Sequence, residues 1–130
     1  MNKLLIVILL FTIFTSSAQA ASLIGYSSNY SEKGCLGCSE SLTMANGERL
    51  DDTKATIALT PAIVKKYHLM NQYVGIINRN NLKWTIARVT DTGGFAKYNR
   101  IADLTPVVTN ALDCRNNCFI EIIFDERRGN

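Results

Sequence analysis

Two segments of the 130-residue chain place an acid where it can do chemistry. In Thr43-Met-Ala-Asn46-Gly-Glu48 a carboxylate follows an Asn-Gly turn. In Arg88-Val-Thr-Asp91-Thr92-Gly93-Gly94-Phe95 a strand ends in an acid and two glycines. An acid at a strand end is a rigidly held carboxylate, and glycines behind it let a ligand approach the backbone closely. Both patterns are also ordinary turn chemistry. His68 is the only histidine and lies in a Lys-Tyr-His-Leu helix end with no nucleophile signature around it, so a multi-histidine metal centre is excluded. There is no phosphate-binding glycine loop, HExxH or EF-hand loop, and neither cofactor nor metal is expected.

The elements that must carry these acids read as mainly β. Ser22 to Tyr30 alternates weakly and suggests a first strand; residues 31–54, rich in Gly, Ser, Asn and Asp, make a long loop of the functional or stapled kind. Thr56 to Leu59 is a short strand, after which Thr60 and Pro61 suit the N-cap and first position of a helix with Ile63, Tyr67 and Met70 on one face. Tyr73–Ile77 and Lys83–Val89 flank a polar turn at Asn78-Arg-Asn-Asn81 and suggest a hairpin, in which Trp84 reads as core. Thr105-Pro106 opens a second helix with Val107, Val108, Ala111 and Leu112, and Phe119 to Phe124 closes the domain. Ala58-Leu-Thr-Pro61 recurs as Asp103-Leu-Thr-Pro106, which implies two similar strand-helix-strand halves and a small closed barrel rather than a sandwich.

Lys3, the apolar run Leu4–Phe14 and Ala18-Gln-Ala20 predict a cleaved signal peptide over residues 1–20, and hence a periplasmic or secreted protein without integral membrane contact. Residues 21–124 then form one domain and 125–130 a charged tail. With Lys3 removed the net charge is +2, too small to argue for nucleic acid. Cys35, Cys38, Cys114 and Cys118 predict two disulfides in that compartment. Local pairing and cross-pairing both remain open; only cross-pairing would close long loops. A four-thiolate zinc site and a CxxC redox centre are the weaker readings.

The ordered set Thr-x-x-Asn-Gly-Glu48, Ala-Leu-Thr60, Arg-Val-Thr-Asp91-Thr-Gly-Gly-Phe95 and Ile-Ala-Asp103-Leu-Thr resembles the rare-lipoprotein-A (RlpA) family over about Ser22–Phe124. The resemblance implies a six-stranded double-psi β-barrel with two short helices, shared with expansins. It also implies peptidoglycan glycan strands as the partner; other cell-wall enzymes are partners under a separate reading, an interaction domain that inhibits or escorts one of them. The implied activity is that of a lytic transglycosylase forming 1,6-anhydromuramoyl ends. Asp91 would then be the general acid/base and Glu48 its assistant, with Asn46, Thr92, Gly93, Gly94, Phe95, Asp103 and His68 contacting sugar. The chain departs from the family pattern at Pro61-Ala62-Ile63, where members carry Ala-Ala-His, and at Thr92, where they carry a basic residue. The alternative is a non-catalytic, wall-binding or wall-loosening expansin-like module, with Phe95, Tyr98 or Trp84 stacking on sugar faces.

Overall fold

Period-two alternation of apolar residues sets the faces of most of the strands. The computed structural model describes residues 19–126; apart from Gln19 and Ala20 the expected signal peptide lies outside that range, as do residues 127–130 of the expected tail. The strands are β1 (Ala20–Asn29), β2 (Thr56–Leu59), β3 (Tyr73–Asn78), β4 (Trp84–Thr92), β5 (Arg100–Leu104) and β6 (Phe119–Asp125). Helix α1 (Pro61–Tyr67) follows β2, helix α2 (Pro106–Ala111) follows β5, and a 3-10 turn (Phe95–Tyr98) follows β4. Pairing of Ala20 with Asp125 carries the barrel one residue beyond the expected limits at each end.

The strands close in the order β1-β5-β2-β4-β3-β6. β1/β5 and β2/β4 are parallel and the other pairs antiparallel. The repeated segments face one another: Ala58 is opposite Asp103, flanked by Ile57 opposite Leu104 and Leu59 opposite Ala102. Each parallel pair has one register shift, at Tyr26/Ser27 and at Ile57/Ala58. Residues such as Ile57, Leu59, Val89 and Leu104 fill the interior. Among the described residues no helix is long and apolar enough to cross a membrane.

Trp84 corrects the sequence expectation: it is 68% exposed. The pleat explains this, because Ala87 and Val89 are buried in the interior and Trp84 and Ile86 therefore stand on the outer face.

Thr60 and Thr105 occupy the expected N-cap positions before their prolines, yet neither side chain caps its helix. The buried Thr105 hydroxyl instead bonds the adjacent end of the neighbouring strand β2, donating to the Thr56 carbonyl at 2.7 Å and accepting from the Thr56 N–H at 3.2 Å. Thr105→Val keeps the shape but removes the hydroxyl's bonds, leaving the Thr56 N–H only its bond to the Lys54 carbonyl and the Thr56 carbonyl only the longer bond from the Thr105 N–H. It is expected to cost about 1–3 kcal/mol in chemical denaturation.

A second apolar cluster lies outside the barrel. Tyr30, Met44, Leu50, Ala58 and Phe95 form it, which docks the long 31–54 loop against β2. Within that loop Leu42–Leu50 folds back as a small hairpin: Leu50 N–H donates to the Leu42 carbonyl and Met44 N–H to the Glu48 carbonyl.

Candidate functional site

Register builds the site. Ser28 pairs with Asp103, Asp103 with Ala58, and Ala58 with Asp91, so four residues from β1, β5, β2 and β4 stand in one row. Directly opposed residues share a face. Ile57 and Leu59 point into the barrel and Ala58 joins the outer cluster, so the row faces outward. With strands about 4.8 Å apart, the two aspartate backbones are about 10 Å from each other, and Ala58 is a low floor between them.

Each carboxylate is held. The Ser28 hydroxyl donates to Asp103 Oδ1 at 2.7 Å. Asp91 Oδ1 accepts from the N–H groups of Thr92 and Ala45, both at 2.9 Å. Burial pushes the Asp103 carboxyl above the usual carboxylate range; the Ser28 bond and Arg100 oppose this, and the charge of Asp91 adds to it. The Tyr30 hydroxyl is buried and has no hydrogen-bond partner among the described residues. Burial first, then the charges of Asp91 and Asp103, raise its pKa, so it stays a neutral O–H donor.

These groups line a groove of about 770 Å³. Of the sequence-predicted residues it brings together Asp91, Thr92, Gly93, Gly94, Phe95 and Asp103. The Cys35–Cys38 loop and the exposed Tyr98 also line it. Gly93 has a use that the sequence does not reveal: a Cβ there would come within 2.5 Å of the Phe95 ring, which is buried in the outer cluster. At Gly94 nothing crowds the missing side chain, so this is the glycine that leaves room above the backbone.

Asn46, Glu48 and His68 are not among the groove-lining residues. Glu48 is exposed and held by Arg88, 2.9 Å away, and by the Asn46 amide. These two partners, Asn46 first, keep its carboxyl below the usual range and hence ionised. Asn46 and Arg88 both also donate to Asn71 Oδ1, at 2.9 and 3.1 Å. The Asn-Gly-Glu turn therefore pins the loop to β4 and to the start of β3. His68 is exposed and ends α1 in the left-handed region at φ 51°, its N–H donating to the Val64 carbonyl.

Both cysteine pairs are local, Cys35–Cys38 and Cys114–Cys118, which resolves the open connectivity and leaves no thiolate for a zinc site. Disulfides fit an oxidising compartment.

Tyr30, with Ser28 and Arg100, is among the lining residues that the sequence reading missed. The available signal was its position two residues after Ser28, but only the pairing of β1 with β5 reveals what it meets.

Among solved structures, the chain is similar to the apo expansin of Clavibacter michiganensis, with a TM-score of 0.56 over 85% of this chain and 14% identity. The fold is an expansin-like double-psi barrel. The chain spans about half of that expansin, 52% of its length. No family model and no curated protein matches the sequence. On this expansin-like barrel the groove offers two acceptor carboxylates, a buried hydroxyl donor and an exposed tyrosine ring. That combination suits a ligand rich in hydroxyl groups with apolar C–H faces.

Proposed function

We propose that this protein acts outside the cytoplasm as a wall-polysaccharide-binding module that grips glycan strands in the Asp91/Asp103 groove without cutting them. The observation that carries this reading is the buried Tyr30 hydroxyl, without a hydrogen-bond partner among the described residues, beside two carboxylates. A buried polar group costs stability unless something bonds it, and a sugar hydroxyl is a fitting partner. The test is co-sedimentation with insoluble peptidoglycan, and in parallel with cellulose, followed by mass spectrometry of the released sugars. Retention on the wall polymer without new chain ends is expected; absence of retention on either polymer overturns the proposal.

A lytic transglycosylase of the RlpA type is the second reading, and the raised pKa of Asp103 is what favours it. Asp103 would protonate the leaving glycosidic oxygen, and Asp91 would take the proton of the muramoyl C6 hydroxyl as it closes the anhydro ring. This leaves Asp91 the base half of the acid/base role implied from sequence and gives the acid half to Asp103. Anhydromuramoyl ends among the products would establish it.

Tyr30→Phe separates binding from folding. The hydroxyl makes no hydrogen bond among the described residues, so the melting temperature should hold or rise. Loss of about 1 kcal/mol of hydrogen bonding to the ligand should weaken polymer binding roughly five- to tenfold. Equal affinity of Tyr30→Phe and wild type would remove Tyr30 from the site.

A further inference from the structure

Away from the groove, the sheet formed by β4, β3, β6 and β1 carries an apolar outer face. The register sets Trp84, Ile77, Glu121 and Ile24 in one row, and Ile86, Gly75, Ile123 and Ser22 in the next. Tyr26 packs at a tilt against Phe119 beside them, with ring centroids 5.3 Å apart. Trp84, Tyr73 and Tyr26 are 54–68% exposed, and Ile24 and Ile86 are more than half exposed. The charged residues on this face are already matched, Glu121 by Arg79 and Arg88 by Glu48.

Gly75 stands at the centre of this face with room where a side chain would be. Its φ is ordinary, and an added Cβ would meet only Ile123 atoms at 3.8 and 3.9 Å. A glycine within a strand weakens it and marks a bulge, a tight bend or the close approach of another molecule; the register on both sides of Gly75 is unbroken, so no bulge accounts for it. Here it leaves a notch walled by Ile86 and Ile123. Ile123 also borders an apolar hollow of about 310 Å³.

We infer that a second copy of this chain covers the face. Trp84 is the diagonal cross-strand neighbour of Gly75, about 7–8 Å away. A two-fold axis lying in the plane of contact and passing between them sets each copy's Trp84 over the other's Gly75. One knob and one notch thus give two reciprocal contacts, as an isologous interface requires. The barrel is closed, so pairing along a strand edge is not open to a partner and face packing is. The three aromatics expose roughly 400 Å², about half of the ~800 Å² that each partner contributes to a standard interface. Ile24, Ile77, Ile86 and Ile123 extend the area toward that size. Their aliphatic character fits a protein surface better than a sugar ring.

Sedimentation velocity on the purified protein from 1 to 200 μM tests this. A reversible dimer is expected, with dissociation constants at least tenfold weaker in Trp84→Ala and in Gly75→Val. Gly75→Val fills the notch with a strand-favouring residue and should keep or raise the melting temperature, which excludes misfolding as the cause. A wild-type monomer throughout overturns the inference, as does a dimer that both variants leave intact. A loss of polysaccharide retention in Trp84→Ala without any change in self-association would also overturn it, by assigning the face to glycan.

Discussion

Asp103→Asn is expected to weaken retention on wall polysaccharide by roughly 10- to 100-fold, the span of a lost charged hydrogen bond, while raising the melting temperature at neutral pH by a few degrees. Ser28 can still donate to the amide oxygen, so the local geometry survives. The variant removes the charge that burial opposes. Asp103 has a raised pKa in the folded protein, so between its unfolded and folded values the native state binds more protons than the unfolded chain. Its favourable contribution to folding is present in acid and lost as pH rises through the raised pKa. The melting temperatures of wild type and variant should therefore differ little in strong acid, and the gap should open in the variant's favour above the ordinary carboxylate range. A variant less stable than wild type at neutral pH would show that Arg100 and Ser28 outweigh desolvation.

Local chemistry made the barrel legible. Thr56–Leu59 is a strand as read, and each proline after a threonine opens a helix, because fixed φ and a missing N–H are local properties. The repeated Leu-Thr-Pro marks two halves that meet at Ala58 and Asp103. Pairing between distant strands is another matter. Ser28, Ala58, Asp91 and Asp103 form one row only because β1, β5, β2 and β4 are neighbours, and no local pattern states that order. Trp84 was misread because a strand residue has an outer face as available as the inner one. Glu48 drew attention as an acid after an Asn-Gly turn; its guanidinium partner lies 40 residues further on, and the two meet only through loop docking.

That docking sets the second large effect, expected from Leu50→Ala. Leu50 is fully buried in the outer cluster, so truncation should remove about 2–5 kcal/mol through lost burial and a residual cavity. The barrel interior has its own residues, and the loss should fall first on the loop. Ala45 and Asn46 N–H groups, which donate to Asp91 Oδ1 and the Thr90 carbonyl, should lose hydrogen-exchange protection. Amides paired between β3 and β6 should keep theirs. Asp91 would then lose one of its two backbone donors and the groove its wall, so polymer binding should fall at least tenfold in a protein whose barrel is still folded. If protection falls equally in β3 and β6, the two clusters form one cooperative unit, and the groove cannot be loosened without unfolding the barrel that carries it.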